Sequence, residues 1–213
     1  VYVAGVDRST GEHEWRPFVE AEGFGHLVAA GAGRDYPVIV PTQFVLDGQE
    51  VICHFAAPNP VLGALGENPR AVMSVAGDWA FIPSDWKVVD GEDPALGIPT
   101  TYYAAVQLRG RVEVHAEASV IAAVLRRQLG VLQPGVPIAD PEEAHPAQLR
   151  SIRAVVLTVE EVLAKFKYGG NVDEAHRRAV IDRLRQRGSP GDLLAAARTQ
   201  QRLDAAAPRA SSH

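Results

Sequence analysis

One cysteine, Cys53, is all the sequence offers for sulfur chemistry, and it excludes an intrachain disulfide, a multi-cysteine metal centre and an iron–sulfur cluster. Such usage fits a reducing compartment. Basic charge is also scarce: 21 Lys and Arg against 26 Asp and Glu leave a formal net charge of -5, with no global attraction for nucleic acid. No apolar run approaches the roughly 20 residues that cross a bilayer, and no charged-then-apolar leader opens the sequence. The expectation is a cytoplasmic protein without a nucleic-acid or membrane partner. There is no internal repeat, and no biased tract precedes the Ala- and Ser-rich segment 204–213, which is expected to be a disordered tail.

What remains is ample for a core: 213 residues, 46% of them hydrophobic and 22% charged. Residues 14–22 carry Trp15, Phe18 and Val19 at helical spacing before Gly23. Four apolar segments follow at 26–30, 38–46, 50–56 and 70–82, with a hairpin signal at Asp47-Gly48. Residues 85–99 form a long Gly- and Pro-containing connection. Over 100–115 alternation is sustained, placing Tyr102, Ala104, Val106, Leu108, Val112 and Val114 on one face and Tyr103, Gln107, Arg109, Arg111, Glu113 and His115 on the other. A helix over 118–129 stops at Gly130, and a central strand covers 152–162. Asn171 caps a helix ended by Gly188, and Ser189-Pro190 opens another through Leu203. Strands in antiparallel order with single inserted helices indicate an α+β barrel: a domain over 1–168, then a C-terminal helical hairpin over 169–203.

The residue types that carry chemistry centre on His54. In a period-two strand it shares a face with Ile52 and Ala56, which predicts a buried imidazole with one free nitrogen. Two readings stand: a core histidine satisfied by a backbone carbonyl, or a cofactor's ligand. Asn59 and Pro60 open a helix, as N-cap and first helical residue, whose positive end suits an anionic group. Lys165 and Lys167 lie two apart, either as solvated edge lysines or as partners for an anion. Tyr102 belongs to the apolar face and Tyr103 to the polar one, so Tyr103 is the better functional candidate. Trp86 either covers a pocket or anchors its own loop. His26 is a second possible ligand, whereas Arg109 and Arg111 suit either a carboxylate or the surface.

Several motifs occur in an order that spans Tyr2 to Arg187: Phe24-Gly25-His26-Leu27-Val28, Pro41-Thr42-Gln43-Phe44, His54-Phe55-Ala56-Ala57-Pro58-Asn59-Pro60, Ala80-Phe81-Ile82-Pro83-Ser84-Asp85-Trp86, Ile98-Pro99-Thr100-Thr101-Tyr102-Tyr103, and Lys165-Phe166-Lys167 with Asn171. In this order the chain resembles the PaiB-like FMN-binding split-barrel family. The resemblance implies a split β-barrel homodimer with a flat cofactor near the subunit interface. Two stretches depart from the family's pattern: Thr101-Tyr102-Tyr103 replaces Trp-Asn-Tyr, and Tyr168-Gly169-Gly170 replaces Leu-Ser-Gln. Both lose polar groups that a flavin would use. The chain thus looks like the family's heme-dependent piperazate synthase branch, from nonribosomal-peptide antibiotic pathways.

By that resemblance the cofactor is heme b, with FMN as the alternative, and His54 is the axial metal ligand. The substrate is N5-hydroxy-L-ornithine, cyclised with loss of water and formation of an N–N bond. Asn59, Trp86, Tyr102, Lys165 and Lys167 are then candidates for the cofactor's surroundings, and Tyr103 for a donor to the departing hydroxyl. The rival functions are an FMN-binding oxidoreductase and a PaiB-like transcriptional regulator.

Overall fold

The structure, a computed structural model, describes residues 1–89 and 91–206. The chain divides into two units. One, the sheet unit, comprises His13–Val75 and Val106–Leu163; the other, the hairpin unit, comprises Val1–Glu12, Ala76–Ala105 and the chain from Ala164 onward.

The sheet unit begins with helix α1 (Glu12–Glu22), which buries Phe18 and Val19, one step apart on its apolar side. Strands β1 (Phe24–Ala29), β2 (Val38–Gln43), β3 (Val45–Asp47), β4 (Glu50–Ala56), β5 (Arg70–Ile82), β6 (Thr100–His115) and β7 (Ile152–Lys167) form a seven-stranded sheet in the order β2-β1-β5-β6-β7-β4-β3. The sheet is antiparallel and not closed. Its registers include Leu27 opposite Val40 and Met73, and His54 opposite Ala154. Asp47 pairs with Glu50 across a tight turn in which Gly48 has φ 60°, a conformation that costs glycine least. The 38–46 segment is therefore two strands: Phe44 turns into the core, and its N–H donates to the Gly23 carbonyl.

Helix α2 (Pro60–Glu67) starts as the sequence indicates, with Asn59 Oδ1 accepting from the Val61 N–H at 3.0 Å. Helix α3 (Ala118–Leu132) continues through Gly130, which helices tolerate at a cost of about 1 kcal/mol, and ends before Pro134-Gly135. Its stripe of Ile121, Ala122 and Val124 packs with Val45, Ile52, Leu149 and Ala154. Burial of each large aliphatic side chain there stabilises the fold by roughly 1.5–3 kcal/mol. Two short helices, α4 (Pro141–Ala144) and α5 (Pro146–Arg150), lead into β7, which runs five residues past the expected end at 162.

The alternation of β6 holds from Tyr102 to Val112, all buried, but Val114 at the strand's end is exposed. Strands β5, β6 and β7 contribute residues to both units. In the hairpin unit, helix α6 (Glu174–Arg187) is capped by Asp173, whose carboxylate accepts from the His176 N–H, and not by Asn171. The carboxylate two residues nearer the helix reaches the third amide, where Asn171 lies too far back. Helix α6 ends at Gly188, and α7 (Pro190–Ala206) follows. Asp204 and Ala205 thus lie in a helix, while residues 207–213 of the expected tail lie outside the described residues. Among the described residues no helix is long and apolar enough to cross a membrane.

Candidate functional site

The sheet unit orients His54 with a buried amide. His54 Nδ1 lies 2.9 Å from Gln128 Oε1, and Gln128 Nε2 donates to the Ile52 carbonyl at 3.3 Å. Because the amide nitrogen is committed to a carbonyl, its oxygen must face the imidazole, so His54 Nδ1 carries the proton and donates. In the neutral ring this leaves the Nε2 lone pair available. Gln128 is buried, whereas His54 is exposed. The expectation of a buried His54 is thus corrected. Ile52 is the member of that strand face sealed in the α3 core, and His54 and Ala56 extend into solvent.

Arg127, beside Gln128, pairs with Asp47 at 2.8 Å and Glu50 at 2.7 Å, setting α3 on the β3–β4 hairpin. Its neighbour then meets Ile52 and His54. Cys53 faces the other way, and burial pushes its thiol up to about 12, which keeps it protonated and unfit as a ligand. Asn59 remains committed to capping α2. His26 is exposed on β1. Among the described residues no group of three or more His, Cys, Asp and Glu is placed to hold a metal ion.

The hairpin unit gathers Tyr103, Lys165 and Lys167. The two ammonium groups lie 5.6 and 6.0 Å from the Tyr103 ring centroid, within cation–π range. Neither lysine is a solvated edge residue. Lys165 is nine-tenths buried, donates to the Tyr2 carbonyl at 3.1 Å and sits 3.8 Å from Asp7; half-buried Lys167 donates to Thr100 Oγ1 at 2.8 Å. Tyr102 is core, edge-on to Tyr168 at 6.0 Å, and burial raises its phenol to about 12. Trp86 lies half-buried beneath the Arg187 guanidinium at 4.5 Å, so it anchors its loop. A Cβ at Gly169 would meet Tyr102 Oη at 2.4 Å, and one at Gly170 the Val6 carbonyl at 2.5 Å. Packing therefore dictates both glycines in the stretch that departs from the family's pattern.

His54 and Asn59 thus belong to one unit, and Trp86, Tyr102, Tyr103, Lys165 and Lys167 to the other. In the sheet unit, Arg109 pairs with Glu161 at 3.3 Å and Gln107 at 2.8 Å, and Arg111 is exposed. Gln128 was not singled out from sequence. Its signal is positional: 121, 124, 125 and 128 share one helical face, so a polar residue interrupts an apolar stripe.

Residues 1–161 match the family described as "Putative FMN-binding domain". The chain belongs to that family. Among curated proteins there is no significant match. Among solved structures, the FAD and heme binding protein from Mycobacterium smegmatis is similar with a TM-score of 0.59 and 20% identity, covering 81% of this chain and 79% of that one. The flavocytochrome Anf3 from Azotobacter vinelandii is similar with a TM-score of 0.56 and 20% identity, covering 80% and 74%. At such identity these likenesses speak for the split-barrel fold, which the family member described here shares.

Proposed function

We propose that this family member binds heme b through His54 and is a piperazate synthase, closing N5-hydroxy-L-ornithine to L-piperazic acid. The observation that carries the reading is the Gln128–His54 hydrogen bond, which leaves an exposed imidazole with its Nε2 lone pair to offer. A macrocycle that brings four nitrogens of its own needs only one such protein ligand. His54 therefore fits heme, whereas Gly169 and Gly170, closed against Tyr102 and Val6, have no room for side chains that would bond a flavin. Similar folds in a flavocytochrome and in an FAD and heme binding protein support heme as a guest of this architecture.

In the proposed reaction the N–N bond forms as the N–O bond breaks, and the hydroxyl leaves as water with a proton from the α-amine. No external oxidant or reductant is required. When bound, heme supplies a Lewis-acidic iron for the hydroxylamine group. The protein's part is to hold His54 in one tautomer and to keep the substrate folded for six-membered ring closure, while the proton that leaves with the hydroxyl comes from the α-amine. Holding the substrate folded can supply several kcal/mol. Tyr103 and Lys167 belong to the other unit and are given no step in this proposal. Lys165, already satisfied by Tyr2 and Asp7, is a structural cation in this proposal. The homodimer implied by the resemblance is retained, with exposed Trp79 and Phe81 of β5 as an apolar surface for it.

The test is the absorption spectrum of the purified protein with added hemin, followed by conversion of N5-hydroxy-L-ornithine read by mass spectrometry. An intense Soret band, lost in His54→Ala, and a product lighter by one water are expected. The second reading, a flavin-binding oxidoreductase, is favoured by the family description. The two-banded spectrum of bound FMN with no Soret band would overturn the heme assignment.

A further inference from the structure

We infer that Gln128 is a positioning residue that selects the Nε2-presenting tautomer of His54 before any cofactor arrives, and that as a neutral acceptor it withholds imidazolate character from the ligand. The inference rests on the proposed role of His54 as axial ligand. It adds a residue outside the motifs and a statement about electronic tuning.

Three features carry it. The Nδ1–Oε1 separation of 2.9 Å is a full hydrogen bond, and the amide's other end is pinned by the Ile52 carbonyl, so the side chain cannot flip without breaking both contacts. Gln128 is buried on a helix face otherwise given to Ile121 and Val124, where an amide costs stability unless both its ends are bonded. Third, a neutral imidazole in water favours the opposite tautomer, so the arrangement opposes the intrinsic preference. An imidazole whose remote N–H meets a carboxylate becomes a stronger donor to its metal; an amide oxygen orients the ring without that push.

The apo protein supplies the first readout. With 15N-labelled histidine, two-bond correlation spectra should show His54 protonated at Nδ1 in the parent and in Gln128→Glu, and shifted towards the Nε2-protonated form in Gln128→Met, a near-isosteric change that preserves the apolar stripe. The second readout is hemin titration, where Gln128→Met should raise Kd by about 10–100-fold. In the reduced heme complex, Gln128→Glu should raise the iron–histidine stretching frequency and lower the reduction potential. An unchanged tautomer and an unchanged Kd in Gln128→Met would overturn the inference, as would an unchanged stretch in Gln128→Glu. If His54→Ala retained heme, the ligand assignment would fail while the apo tautomer measurement still decided the role of Gln128, so the two failures are distinguishable.

Discussion

Asp78 is the sharpest place to test the packing of the hairpin unit. It lies within β5, where its φ of 51° makes it the non-glycine residue of positive φ among those described. Its carboxylate is 6% exposed and accepts from Arg198 Nε at 2.7 Å, and its backbone carbonyl accepts from Tyr168 Oη at 3.1 Å. Breaking a fully buried ion pair costs about 3–5 kcal/mol. Arg198 is 21% exposed and partly hydrated, which brings the expected loss to about 2 kcal/mol. The left-handed backbone adds about 1 kcal/mol for a residue with a Cβ and close to nothing for glycine. Aspartate already bears that backbone cost, so Asp78→Ala should lose about 2 kcal/mol, and Asp78→Gly, which relieves it, about 1 kcal/mol, although glycine is ordinarily the worse residue in a strand. Urea unfolding at pH 7 measures both. Asp78→Gly less stable than Asp78→Ala would refute the backbone argument, and a loss under about 1 kcal/mol in Asp78→Ala would refute the ion pair.

Two further outcomes follow from single contacts. Asp192 is held by both nitrogens of the Arg187 fork, at 2.8 and 2.5 Å, and that bonding lowers its carboxyl to about 2. Because the folded value lies below the ordinary one near 4, the stabilisation is complete above about pH 4 and disappears as pH falls through about 2. With Arg187 37% exposed it amounts to about 1–2 kcal/mol, so urea unfolding of Asp192→Asn should show a correspondingly shallower loss than the parent across that window. Gly110 of β6 faces the β7 backbone so closely that a Cβ would lie 1.8 Å from the Thr158 carbonyl oxygen. Gly110→Ala should cost about 3 kcal/mol or more by prising the strands apart, and a thermal midpoint equal to the parent's would contradict that approach.

The elements most legible in the sequence are those whose signals are local. The alternation of β6, the Asp47-Gly48 turn and the Asn59-Pro60 helix start all depend on residues within a few positions of one another, and each occurs where the pattern puts it. What escaped depends on partners distant in sequence. The break between β2 and β3 comes from Phe44 packing inward and bonding Gly23, and the persistence of α3 past Gly130 reflects a glycine tolerated inside a helix. The exposure of His54 escaped for the same reason: strand alternation gives its face, but how far α3 covers that face is a tertiary fact. Lys165 looked like an edge residue because the carbonyl and carboxylate that satisfy it, at Tyr2 and Asp7, lie more than 150 residues earlier.

Exposure of His54 bears on its proposed role as a ligand. A buried histidine must satisfy both ring nitrogens or forfeit hydration at one, so its partners are explained by stability alone. An exposed histidine can leave both nitrogens to water, and fixing its ring costs about 1 kcal/mol of side-chain freedom with no desolvation to offset. Here one nitrogen is nonetheless held by an amide buried on an apolar helix face, and that amide is itself pinned to the strand carrying the histidine. Stability would be served as well by a leucine at 128 and a free imidazole at 54. The pair makes sense when the orientation of the remaining nitrogen is the product, which is what the proposed role of His54 as a cofactor's ligand would require.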